Sequence, residues 1–357
     1  SGGPALPRLD AITPRIVPDS TNRMNQLLAG DLDVADNLDP GNAARLAAEQ
    51  HVTVLRRPGW TFTYIGWMAV DRTAYARYRA DREAECTRRG DKECADDAAA
   101  VAALARRHPH PLFGDARVRR AMTLAIDRTA LVDTLFRGEA EVPPSPILAP
   151  LPEHDPALLA LPQDLNQARA LLAEAGFRDS NGDGTLERDG RPFVFDLAVR
   201  AGDVARRQAA VLIQRDLARA GVAVNIEPVE NSSFASLLAA RRTDAWLGGW
   251  QTSLRVDMSE ALHSRGCATG SANYGAFSNP DADAIVDQAR DTVDDTARAA
   301  LWRRWEALFV REQPYSLLFR PRRLVGARTR VIGAESLLAN DPLNGVETWS
   351  LAAAEQR

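Results

Sequence analysis

Between residues 193 and 250 the hydrophobic period switches back and forth between two and about three and a half. Phe193, Phe195, Leu197 and Val199 fall on every second position and predict a strand. Ala209, Leu212, Ile213 and Leu217 fall at helical spacing, and Gly221 stops that helix. Val222, Val224 and Ile226 alternate again, 234–242 reads as a helix, and 245–250 as a buried strand ending at Trp250. This β-α-β-α-β order predicts an α/β fold built on an open sheet with right-handed crossovers.

The rest of the chain continues the alternation. Residues 12–17 read as a short strand, and Asp19 caps a helix with Met24, Leu27 and Leu28 on one face and Gly30 at its end. Strands are expected at 32–36, 52–55 and 60–69, with an Ala-rich helix at 42–50. In the last of these strands Trp60, Phe62 and Tyr64 alternate with Thr61 and Thr63, the period of a half-buried strand. Residues 71–109 are dense in charge and predict a helical excursion with a solvated face. One helix is expected from Asp115 through Phe136, striped by Val118, Met122, Ala125 and Val132. A proline-rich extended loop at 141–162, a helix at 164–175, a long helix through 300–309 and strands near 315–319 and 324–327 complete the series.

Length and charge narrow the classes. The 357 residues correspond to about two domains. The 44 basic and 48 acidic residues give a net charge of −4, without the basic excess of a nucleic-acid binder. No run approaches the ~20 apolar residues of a membrane span. Cys86 and Cys94 lie eight apart in a polar segment, a spacing that suits a small disulfide loop outside the cytosol, with two unrelated surface thiols as the alternative. Cys267 is left over. Asp179, Asn181, Asp183, Thr185 and Glu187 follow the first half of an EF-hand loop, but position twelve is Gly190, so a structural Ca²⁺ site and a plain turn both stay open. His108 and His110 flank a proline in a charged region and read as solvated. The sequence carries no P-loop and no G-x-S-x-G, H-E-x-x-H or G-x-G-x-x-G motif, and nothing singles out a catalytic pair or a cofactor.

Five segments carry a resemblance in a fixed order: IVPDSTNRMNQLLAGDLDV at 16–34, YIGW at 64–67, DARVRRAMTLAIDR at 115–128, ARALLAEAGF at 168–177 and NYGAFSNPDAD at 273–283. Together they resemble the family 5 extracellular solute-binding receptors of ABC importers, which take oligopeptides, dipeptides, nickel complexes and some sugars. The resemblance implies a two-lobed periplasmic-binding-protein-like fold (type II, cluster C) lacking its N-terminal segment. It assigns 1–110 to lobe I, with the charged insertion at about 71–109, 111–317 to lobe III, and 318–357 to a return into lobe I. It also implies no catalysis, a peptide-like or other small polar solute held by hinge closure, an ABC permease as partner, and a periplasmic or cell-surface location. The membrane would be reached only through an upstream lipid anchor or the permease. The alternative is a regulatory or scaffold protein that keeps the fold as a sensor or partner-binding module.

The same resemblance places a ligand wall at Trp250, Gln251, Ser253, Arg255 and Asp257, with Tyr64, Trp67, Asn273 and Tyr274 as further contacts. Peptide receptors of the family carry an acidic residue shortly after this Trp, which pairs with the peptide's ammonium. Here the third position after Trp250 is Ser253, and the nearest carboxylate is Asp257. A buried ammonium without a counter-charge is costly, so the departure implies an anionic, neutral or polyhydroxylated solute.

Overall fold

A computed structural model describes residues 7–91, 94–336 and 345–352. The chain divides into two compact units, one of Ser1–Thr61, Val132–Glu141 and Arg320–Arg357, the other of Phe62–Leu131 and Val142–Phe319. The boundary differs from the division expected above, because residues 62–110 pack within the second unit. Thr61–Trp67 is an interior strand of that unit's sheet, and Tyr75, Val101, Ala102 and Ala105 of the charged insertion sink into its core.

The first unit is an antiparallel three-stranded sheet, Val34–Ala35, Arg323–Arg328 and Val52–Arg57 in spatial order. The helices Ser20–Ala29 and Pro40–Leu46 press Met24, Leu27, Ala43 and Leu46 against Val52 and Leu324. Each starts at an aspartate, Asp19 or Asp39, whose carboxylate accepts the N–H of Asn22 or Asn42. The strand expected at 12–17 is absent; the segment pairs with no ladder, and Ile16 is 96% exposed.

In the second unit the strands run Tyr315–Pro321, Thr61–Trp67, Ala245–Gln251, Val194–Arg200 and Ala223–Val229. Val194–Arg200 pairs in parallel with both of its neighbours, and Tyr315–Pro321 is antiparallel to Thr61–Trp67. Helices cover both faces, so Phe62 through Trp67 are all buried and the half-buried alternation expected for that strand is lost. The helix expected from Asp115 to Phe136 is two, Ala116–Ala125 and Arg128–Phe136. Ile126 leaves helical geometry, and the Asp127 carboxylate accepts the Ala130 N–H to start a new helix. The helix Pro280–Asp291, capped by Asn279, was not expected from periodicity.

Connectivity sets the place where a ligand would bind. Val194–Arg200 passes through the helix Val204–Ala218 to a strand on one side, and that strand returns through the helix Asn231–Ala239 to Ala245–Gln251 on the other. The direction of winding therefore reverses beside Val194–Arg200. In open α/β sheets such a reversal opens a crevice at the carboxyl ends of the strands.

Candidate functional site at the sheet switch point

Along Ala245–Gln251 the first four residues are buried, while Gly249 and Gln251 are exposed and Trp250 is half-buried. Trp250 thus emerges from the core at the carboxyl end of the strand, with its inner edge against apolar packing. A cleft of about 40 Å³ lies beside it, lined by Phe62, Ile147, Trp250, Ser253, Arg255 and Asp257 among others. That is room for only a few waters, each needing about 10–15 Å³ of such space. The second unit by itself therefore offers a wall rather than an enclosed chamber.

The loop after Trp250 has a fixed local geometry. Ser253 Oγ accepts the Arg255 N–H at 3.1 Å, and Asp257 Oδ1 accepts the Ser259 N–H at 2.9 Å. Partial burial works to raise the Asp257 pKa, but the Ser259 hydrogen bonds and the Arg290 and Arg255 guanidiniums outweigh it and hold the carboxyl below its usual range. Asp257 is therefore an anion already supplied with partners.

Opposite the strand end, Arg206 stands in the first turn of Val204–Ala218. Asp203 caps that helix through the Arg206 N–H and also accepts from Arg206 Nη1 at 2.6 Å. The rest of the guanidinium lies over Gly249, where only a glycine leaves it room. Sequence reasoning missed Arg206. A signal was present in an Asp three residues ahead of an Arg, right after a strand, but the contact with position 249 is long-range. Arg200 at the neighbouring strand end is spent locally, its guanidinium 4.6 Å from the Phe234 ring centroid.

The structure does not bring the other expected contacts to this wall. Tyr64 is buried and stacks on Tyr315 with centroids 4.1 Å apart, and burial pushes its pKa up. Trp67 is buried between Phe113 and Phe195 and donates Nε1–H to Ser316 Oγ at 3.0 Å. Both are core residues of a strand covered on each face. Asn273 is buried as well, and its amide is consumed by the backbone: Nδ2 donates to the His263 and Phe277 carbonyls, and Oδ1 accepts the Phe277 N–H. Its role is to fix the loop ahead of Pro280–Asp291. Tyr274 is half-buried, its ring nearly perpendicular to that of Trp246 with centroids 6.4 Å apart.

At the acidic turn, Asp179, Asp183 and Glu187 bring carboxylate oxygens within 4.8 Å of one another. Each is engaged by the turn itself. Asp179 accepts the Gly182 and Gly184 N–H groups, Asn181 Oδ1 that of Asp183, Asp183 that of Thr185, and Glu187 both the N–H and the hydroxyl of Ser180. Cys86 and Cys94 are joined as a disulfide, and Cys267 is a buried free thiol. His108 is exposed, whereas His110 is buried and bonded to Asp244 at 3.2 Å, so only the first is a solvated histidine.

Residues 2–272 match the family described as bacterial extracellular solute-binding proteins, family 5 Middle. The oligopeptide-binding protein AppA of Bacillus subtilis is 26% identical over 351 residues, which cover 97% of this chain and 57% of that protein. Among solved structures, AppA from Bacillus subtilis in complex with a nonapeptide superposes with a TM-score of 0.67 at 24% identity, over 94% of this chain and 59% of the other. NikA from Brucella suis in complex with Fe(III)-EDTA gives 0.69 at 18% identity, over 95% and 61%. The periplasmic-binding-protein-like α/β fold is thereby established, and the chain spans somewhat over half the length of AppA and NikA.

Proposed function

The chain belongs to the bacterial extracellular solute-binding proteins, family 5, and on that premise we propose that it forms part of an ABC-importer receptor that captures a small polar solute against Trp250. The receptor acts outside the cytoplasm, anchored by lipid or held by its permease, and has no catalytic step. Solute binding shifts its population toward the form that the permease accepts. One observation carries the choice of solute: the position three after Trp250 is Ser253, and the nearby Asp257 is already bonded to Ser259. With Arg206 over Gly249 and Arg255 lining the cleft beside Trp250, the wall favours a solute that brings no free ammonium, whether anionic, neutral or polyhydroxylated.

Calorimetry on the full-length receptor tests this reading with alanyl-alanine and its N-acetyl derivative. The expected result is binding of the acetylated, purely anionic form and none of the free amine. Tight binding of alanyl-alanine that is lost on acetylation overturns it.

A further inference from the structure

Glu306 is completely buried on the helix Asp295–Glu312, yet its carboxylate is fully engaged. It accepts the Ser145 hydroxyl, His154 Nδ1–H at 2.7 Å and the Asp155 N–H at 2.7 Å. All three donors belong to the proline-rich stretch 142–164, which holds no helix or strand. Arg303, one turn earlier, adds hydrogen bonds to the carbonyls of Pro152 at 2.8 Å and His154 at 3.3 Å. Long irregular segments of this kind are uncommon unless they serve a site. A buried carboxylate contributes little net stability compared with an apolar side chain of the same size, so its placement calls for a reason other than stability.

The reason lies two residues along the loop. Ser145, held by Glu306, also accepts the Ile147 N–H at 3.1 Å. Pro146 and Ile147 line the cleft beside Trp250. The Pro146 carbonyl accepts the Thr252 hydroxyl at 3.3 Å, which ties the loop after Trp250 to the same wall. Glu306 therefore reaches the cleft through Ser145, Pro146 and Thr252 without touching it.

We propose that Glu306 is a positioning residue for the Trp250 cleft, fixing the wall of Pro146 and Ile147 and, through it, the loop 251–258. This rests on the reading of the cleft as the solute wall. Hydrogen exchange on the full-length receptor tests the coupling. Glu306→Gln keeps the size of the side chain but turns an amide N–H toward a cluster of donors. Exchange is expected to quicken about tenfold or more at 145–155 and also at 250–258, with a parallel tenfold loss of affinity for N-acetyl-alanyl-alanine. Ser145→Ala, which removes a single hydroxyl and folds if E306Q does not, is expected to give the same pattern, and Ser145→Thr to restore wild-type protection. If 145–155 loosens while 250–258 exchanges as in the wild type, the proposal is wrong. Should the wild type itself not bind that dipeptide, the anionic-peptide branch of the solute reading fails, and the exchange pattern still decides the coupling.

Discussion

The Arg206 guanidinium occupies the space that a side chain at position 249 would need: a methyl group on Gly249 would stand 2.1 Å from Arg206 Nη2. The obstacle is the far end of a flexible chain, so Gly249→Ala is expected to fold with a loss of no more than about 1 kcal/mol and to swing Arg206 off the strand end. Affinity for an anionic solute should fall while the melting temperature barely moves. Gly66→Ala is the contrast. Its methyl would stand 2.2 Å from the buried Trp246 ring, which is boxed in by Tyr274 and Tyr315. Overpacking against a fixed ring should cost about 3 kcal/mol, read by denaturant titration. Equal stability losses at the two glycines would contradict the assignment of Arg206 as the movable partner.

Arg119 is a buried cation whose loss should be severe. Burial lowers its pKa to about 10, with Glu312 and Asp115 opposing, and it remains charged at neutral pH. It donates to the carbonyls of Glu312, Gln313, Phe113 and Gly114, so it satisfies the carboxyl end of Asp295–Glu312 and ties it to the loop before Ala116–Ala125. Arg119→Ala strands these acceptors in the core and is expected to cost about 3–5 kcal/mol. Arg119→Lys, with a point charge in place of the planar fork, should recover less than half of that. Urea midpoints of the two variants provide the check.

That role explains why the segment DARVRRAMTLAIDR was so readable. Its polar positions are structural: Asp115 caps a helix through the Arg117 N–H, Arg119 closes another helix, Asp127 restarts one and Arg128 holds the Leu317 carbonyl. The cap at Asp115 is local and legible; the restart at Asp127 is local too, but the apolar stripe running on through Val132 hides it, so one helix is expected where there are two. The same locality made Asn273 misleading. It sits in a recognisable motif, but its amide serves its own loop rather than a solute. The burial of Tyr64 and Trp67 depended on which strands flank Thr61–Trp67, and strand order is a long-range property that alternation does not encode. Arg206 over Gly249 and Glu306 beneath Ser145 were hidden for the same reason, since each joins residues more than 40 apart.

The Cys86–Cys94 disulfide closes a short loop that delivers Asp96 to its partners. Asp96 accepts from Tyr75 at 2.7 Å, Arg79 at 2.8 Å and Arg241 at 3.1 Å. A loop of this length constrains the unfolded chain by roughly 2–3 kcal/mol, so Cys86→Ser/Cys94→Ser should lose about that much in denaturant titrations. Reductant should lower the wild type by the same amount and leave the double variant unchanged. Cys267 should play no part in either result. Burial pushes its thiol up to about 12, and it should stay unlabelled by iodoacetamide until the protein unfolds.

The acidic turn at 179–187 already spends its carboxylates on its own backbone and on Ser180. A turn held this way keeps its shape without an ion, and the bidentate Glu of a calcium loop is replaced by Gly190. Millimolar calcium and excess chelator are therefore expected to give the same melting temperature within about 1 °C. A calcium-dependent rise of several degrees, lost in Asp183→Asn, would instead make Asp179, Asn181, Asp183, Thr185 and Glu187 a ligand set.

Asp244 links stability to pH. It lies half-buried at the start of Ala245–Gln251, and burial alone would raise its pKa. His110, the Asp196 N–H and Arg72 more than offset that and bring it down to about 2. His110 Nδ1 accepts the Leu112 and Phe113 N–H groups, which leaves Nε2–H to face Asp244. Arg72 donates to Asp244 at 2.9 Å and to the Arg242 carbonyl. A carboxyl whose folded pKa lies below its unfolded value stabilises the fold above the unfolded value and stops doing so as pH falls through the folded one. The window is therefore pH 4 down to about 2, and the contribution is roughly 1–2 kcal/mol after allowing for the solvent on one side. Asp244→Asn should be less stable than the wild type at pH 7 and should show a flatter loss of stability across that window. If its urea midpoint ran parallel to the wild type from pH 4 to pH 2, the acid-labile group would lie elsewhere and the His110–Asp244–Arg72 cluster would owe its stability to shape rather than charge.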